Sequence, residues 1–263
     1  MISFTVAQLE GLLAQFGWPF VRILAFVATE AVLGNRAVPF SIKVALALAV
    51  TVIVAPVLPA PPPLAVVSPQ GLLILAQQIL IGVAMGFTTR IVMAAAEMAG
   101  QVAGLQMGLG FAVFFDPQGS GQSPVVAQFM GVLAVLVLLA SNSHYLMLTA
   151  LVESFRILPL SPEPLAARGF LTLVAWASQI FQVGLMLSLP VVGALLVANV
   201  GIGILTRAAP QLNVFAVGFP ITLALGFVML YLSLPLLVPA IEHLAQAGFA
   251  AMQRVLEGLG SPP

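Results

Sequence analysis

Charge is what this sequence has least of. Eight Lys and Arg with eight Asp and Glu make up 6% of 263 residues, where a soluble domain ordinarily carries about 25% charged residues. That scarcity excludes a water-soluble globule, whose surface needs far more polar side chains than these. The 61% of apolar residues must therefore face lipid or other protein. Basic excess is absent too: the net charge is zero and the pI lies near 6.7. There is no positive field to collect phosphates, so no nucleic-acid partner is expected. Cysteine is missing altogether, which removes disulfides, thiolate nucleophiles, iron–sulfur clusters and Cys zinc sites. With two histidines and no H-E-x-x-H pattern, neither a metal site nor any cofactor is expected. Residues 1–10 have no basic residue ahead of their apolar run and end in Glu10. They read as a retained first helix, unlike a cleavable signal peptide.

What is present is apolar and long. Charge-free windows run over 44–89, 98–115, 117–152, 169–206 and 208–241, and all but the second exceed the roughly 20 residues of one membrane-spanning helix. The window 44–89 is cut by Pro56, Pro59 and Pro61-Pro62-Pro63, which remove amide donors and hold the chain extended. Asp116-Pro117 through Ser123-Pro124 is a dense cluster of helix breakers. The pattern predicts an all-α, polytopic membrane protein of long, kinked helical hairpins, with helices near 8–34, 40–57, 69–95, 96–114, 125–151, 166–200 and 212–239. An amphipathic tail near 240–258 is expected to lie on a surface or a partner. Seven crossings would put Arg36, Lys43, Arg90, Arg156, Arg168 and Arg254 on one side and Arg207 alone on the other. The positive-inside rule makes the richer side cytoplasmic.

Polar residues inside such helices are the candidates for function. Arg22 lies in the first apolar stretch, eight residues before Glu30, and reads as a snorkelling or paired side chain or as a contact with another subunit. In 97–115, Gly100, Gly104 and Gly108 recur every four residues, the spacing of a packing seam where a neighbouring backbone approaches closely. Glu97, Gln101 and Gln106 share that stretch and need protein partners or a water-filled lumen. Its run into Phe111, Phe114, Phe115 and Asp116-Pro117 suits a bent or re-entrant element. Asp116, His144 and Ser120 or Ser123 do not form a catalytic triad, since neither serine sits in a G-x-S-x-G elbow. No enzyme activity is expected. The knot Arg207, Pro210, Gln211 and Asn213 reads as a tight helical hairpin turn or as an inter-subunit contact.

Longer strings carry a resemblance. GLQMGLGFAVFFDPQ with SPVVAQF, SHYLMLTALVESFRILPL, the R-x-A-P-Q-x-N-x-F-x-x-G-F-P string from Arg207 to Pro220, and the Leu234-Pro235 pair resemble the FliR/SctT family of type III export-gate subunits over roughly residues 5–255. The resemblance implies a non-enzymatic subunit at the flagellar basal body, in the bacterial inner membrane. It joins FliP and FliQ in a helical, pore-forming assembly through which unfolded rod, hook and filament proteins leave the cytoplasm. FlhA, FlhB and a soluble ATPase would supply the energy. It further implies a FliP-like part, 1–168, and a FliQ-like part, 169–263, and a pore plug over about 106–122. The plug side chains would be Gln106, Met107, Gly108, Phe111, Phe114, Phe115, Asp116 and Pro117. Arg22, Glu97, Arg207, Pro210, Gln211 and Asn213 are candidate subunit contacts. An injectisome homologue exporting effectors, and a small-solute secondary transporter, are the alternatives; no inverted repeat of the kind such transporters carry is found.

Overall fold

A computed structural model describes residues 6–110, 124–211 and 214–260. Among them every regular element is helical. They are α1 (Val6–Thr29), α2 (Phe40–Val54) with a 3-10 turn (Ala55–Val57), α3 (Pro69–Gln106), α4 (Val125–Ala140), α5 (Ser143–Ile157), α6 (Ala167–Ala177), α7 (Gln179–Ala208) and α8 (Val214–Gly260). The proline cluster ends the second helix as expected. Past it, Ser68 accepts the Gly71 amide at 3.0 Å and Pro69 opens α3, the serine cap and first-turn proline of a well-made helix start.

Two expected breaks are absent. The stretches near 69–95 and 96–114 are one helix of 38 residues, because a single carboxylate at Glu97 interrupts a hydropathy window without removing any backbone hydrogen bond. The tail is likewise no separate helix: α8 runs 47 residues through Pro220, Pro235 and Pro239. Its apolar side, Met252, Val255, Leu256 and Leu259, packs with Ile23, Met85, Leu151 and Phe155 in a buried cluster of its own chain. His243, Gln246, Gln253, Arg254 and Glu257 point to the exterior. The tail therefore lies on this chain's own core.

The chain forms two compact units, residues 1–91 with 142–177 and 246–263, and residues 92–141 with 178–245. Residue 168 falls at the start of α6. In the first unit the core joins α1, α3, α5 and the end of α8. The second is an antiparallel four-helix packing whose register follows from its contacts. Gly100 lies against Ala127, Gly184 against Met98, and Ala99 clusters with Leu237. The end of α3 and α7 thus run one way, and α4 and α8 the other.

Five helices are long and apolar enough to cross a membrane, and six spans result if α4 and α5 count as one. That sixth candidate is a bent pair, α4 and α5 meeting at 73°.

Candidate functional site

The glycine-rich end of α3, in the second unit, is built by three glycines, two on a packing face and one that ends the helix. At Gly100 an added Cβ would sit 2.6 Å from Ala127 Cα and 2.6 Å from the Val126 carbonyl oxygen. Here helix α4 passes backbone to backbone. At Gly104 the same atom would find Val126 Cβ and Cγ2 at 3.5 Å, an ordinary contact. Gly108 is not on that face. It has φ 88°, and the Leu109 amide donates to the Gly104 carbonyl at 3.1 Å while the Gly108 amide donates to that of Leu105 at 3.1 Å. Those paired bonds around a left-handed glycine close the helix as a Schellman motif. The repeat of four thus carries two packing positions and one stop.

Immediately before the stop, Met107 is fully buried. It packs with Ala103, Val126, Val191, Leu195 and Leu230. A Cβ on Gly226 would collide with Met107 Cγ and lie 2.9 Å from its Cε and Sδ, so the methionine fills the notch that this glycine leaves. Thr222, one turn earlier on α8, donates its hydroxyl to the Phe219 carbonyl at 3.0 Å and, at 3.5 Å, to that of Met107. Met107 and Gly108 were expected among the soft side chains of a plug. Here Met107 anchors the end of α3 and Gly108 forms its terminating turn, because a long thioether beside a glycine fills an irregular gap well. Gln106 is half-buried. Phe111, Phe114, Phe115, Asp116, Pro117 and Asn213 lie outside the described residues. Thr222 and Gly226 escaped sequence reasoning, although their i, i+4 small-residue spacing on α8 is the signal of a close-packing face.

The other candidates fall in separate places. Glu97 is exposed on α3 at the edge of the α4 seam, where a Cβ on Gly131 would lie 3.1 Å from its Oε1. Arg207, Pro210 and Gln211 are exposed at the end of α7, with the Ala209 amide closing the last turn onto Leu205 at 2.9 Å. In the first unit, Arg22 has no exposure at all. Its Nε donates to Gln78 Oε1 at 2.7 Å. Nη1 donates to the Ser154 carbonyl at 2.9 Å and Oγ at 3.2 Å, and Nη2 donates to the Leu158 carbonyl at 2.8 Å. Its guanidinium carbon lies 4.1 Å from the Phe155 ring centroid. Arg22 is therefore paired within its own chain. The guanidinium caps the C-terminal carbonyls of α5, where a helix end favours a cation.

Glu30, at the turn after α1, is also buried. Its two oxygens accept the amides of Val32 at 2.8 Å and Leu33 at 2.7 Å. Burial raises the carboxyl above its ordinary value, and those amides oppose the rise only in part. Lys43 completes the turn by donating to the carbonyls of Gly34 and Asn35 at 3.0 and 3.1 Å. Among the described residues no three His, Cys, Asp or Glu side chains come together to hold a metal ion.

The sequence pattern of bacterial export proteins, family 1, matches residues 13–248. Among curated proteins, the flagellar biosynthetic protein FliR of Pectobacterium carotovorum subsp. carotovorum is 43% identical over 99% of this chain and 100% of its own length. That of Escherichia coli K12 is 41% identical over 98% of this chain and 99% of its own. The Bacillus subtilis protein of the same name is 30% identical over 92% and 94%.

Proposed function

The chain belongs to the bacterial export proteins, family 1, and from that membership we propose that it is a non-enzymatic subunit of the flagellar type III export gate. In this reading it sits in the bacterial inner membrane at the basal body. With FliP and FliQ it encloses the pore for unfolded rod, hook and filament proteins, next to FlhA and FlhB. The observation that carries the proposal is near-complete alignment, at 43% and 41% identity, to proteins named for flagellar biosynthesis. The physics of the chain supports it. Large apolar side chains stand exposed along α2, α4, α7 and α8, among them Ile53, Leu136, Val197 and Leu236, and such faces need lipid or sister subunits to cover them. A FliP-like part over 1–168 and a FliQ-like part over 169–263 belong to the same proposal. No observation favours the injectisome homologue or a small-solute carrier.

In the same reading the pore plug covers about 106–122, with Gln106, Met107, Gly108, Phe111, Phe114, Phe115, Asp116 and Pro117 as its residues. Bulky apolar side chains suit a constriction that must hold back ions and yield without a specific ligand. Glu97, Arg207, Pro210, Gln211 and Asn213 are the contacts with sister subunits.

The test is genetic and biochemical. Loss of the gene abolishes secretion of hook and filament proteins, and a tagged chain co-purifies with FliP and FliQ. Normal secretion in its absence, or purification as a solitary chain, overturns the proposal. Removing 111–117 from the reconstituted complex raises its ion conductance; unchanged conductance would remove the plug while leaving the export role intact.

A further inference from the structure

Helix α7 is packed along its first part and bare along its last. Its buried residues are Gly184, Ser188, Val191 and Leu195. From Leu196 to Ala208, about 20 Å of helix, no residue is buried. Between Gln182 and Thr206 the polar side chains of α7 are those of Ser188 and Asn199. Ser188 donates to the Leu185 carbonyl at 2.8 Å. Asn199 is exposed, and among the described residues none is bonded to its side chain. Gly203, one turn on, shares its face, and a Cβ there would meet nothing within 4 Å. Gly100, Gly184 and Gly226 of the same unit, by contrast, each make room for atoms of their own chain. Gly193 and Gly201 are as open as Gly203 but point to other sides of the helix. The Asn199 face ends with Thr206, whose hydroxyl donates to the Gly203 carbonyl at 3.0 Å, and with exposed Arg207. With Arg207 at one membrane surface, Asn199 stands about 12 Å inside a hydrocarbon layer about 30 Å thick. Lipid at that depth offers its amide neither a donor nor an acceptor.

We propose that the Asn199–Gly203 face of α7 seats a membrane-spanning helix of a sister subunit, which bonds Asn199 through a hydroxyl, amide or carboxyl side chain; this rests on the export-gate reading above. A glycine in a helix interior weakens the helix relative to alanine. The open side of Gly203 becomes useful once a second backbone comes close, and the short Asn199 side chain then reaches across to it. A primary amide both donates and accepts, so it matches any of those three groups. Thr206 and Arg207 extend the same face to the turn that carries Pro210 and Gln211, so the contact is continuous with the subunit contacts assigned there. The side of α7 turned away from Asn199, with Val197, Val200 and Ile204 exposed, is purely apolar and meets lipid tails without a polar cost.

The chain lacks cysteine, so Asn199→Cys takes a single nitroxide label. Its collisions with oxygen, which concentrates in lipid, and with a neutral nickel chelate, which stays in water, are measured in bilayers for the chain alone and for the complex with FliP and FliQ. Oxygen collisions are expected to fall several-fold on assembly while nickel collisions stay low. Unchanged oxygen collisions leave the face in lipid, and a rise in nickel collisions puts it in a water-filled passage; either overturns the proposal. Asn199→Leu tests the bond without a label, since it keeps the apolar character needed for insertion. It is expected to lower several-fold the fraction of complex that survives dilution in detergent. Survival equal to that of the parent removes the bond. Secretion, followed in parallel, separates the two claims. A complex that forms and secretes with position 199 in lipid keeps the export role and loses only this contact, whereas a parent chain that joins no complex fails the export reading itself.

Discussion

Met107 occupies the space that Gly226 vacates, on a helix more than 100 residues further along the chain, and there it ends α3 against α8. A side chain at 226 must displace all three outer atoms of the methionine. Gly226→Ala is expected to destabilise the solubilised protein by about 1–3 kcal/mol, the usual cost of overpacking. Met107→Ala alone costs about 2–5 kcal/mol through the cavity it leaves. Combined, the two cost less than their sum, because each removes the other's problem. Thermal denaturation of the four variants closes the cycle, and strict additivity would separate the pair.

The glycines of α3 respond differently to one added methyl group. Gly100→Ala pushes on the backbone of α4 and is expected to destabilise by about 1–3 kcal/mol. Gly104→Ala meets only van der Waals contact and gains helix propensity, so it is neutral or stabilising by up to about 1 kcal/mol. Gly108→Ala costs about 1–2 kcal/mol for its left-handed backbone, and Gly108→Asn less. Equal losses at 100 and 104 would contradict this ordering.

Arg22 holds α1, α3 and α5 through one planar fork. Arg22→Lys keeps the charge but cannot reach Gln78, Ser154 and Leu158 together, and is expected to lose stability. Arg22→Met removes the donors that these buried acceptors use, at about 1–3 kcal/mol for each group left unsatisfied. Relief of the buried charge offsets part of that. Lysine should therefore fall between arginine and methionine in melting temperature, and a methionine variant as stable as the parent would refute the cap.

Glu30 gives a pH dependence of defined sign. Its carboxyl titrates above the ordinary value of 4.5 in the folded chain because burial disfavours the charged form. Its contribution to stability is thus fully present below about pH 4.5 and declines as pH rises through the folded-state value. Glu30→Gln cannot ionise, so its melting temperature relative to the parent should improve as pH rises from 4 and level off once pH passes the folded-state value. A constant difference across that range would show that the amides of Val32 and Leu33 hold the carboxylate charged throughout.

Much of the architecture was legible in the order of residues. Charge-free windows located the apolar helices, and the prolines between 56 and 63 located the break after α2. The errors have a common cause. Glu97 divided α3, and Glu242 and His243 set apart the tail of α8, because polarity was read as interruption; a helix is interrupted only where its backbone hydrogen bonds fail. Proline does remove one, yet α8 continues through three of them, since neighbouring turns re-satisfy the freed groups in an apolar setting. The site was less legible. Gly108 has the same spacing as Gly100 and Gly104, and only its positive φ distinguishes a stop from a seam.

Composition settled the apolar setting and the helical class, because those depend on how many apolar residues there are and in what local order they stand, while the kinship lay in longer strings such as that from Arg207 to Pro220. The fold alone determined that Met107 is an anchor and that Arg22 is an internal cap. Each depends on a partner 56 to 136 residues away. Local pattern cannot carry that information, since it records which face of a helix is apolar and not which distant helix comes to cover it.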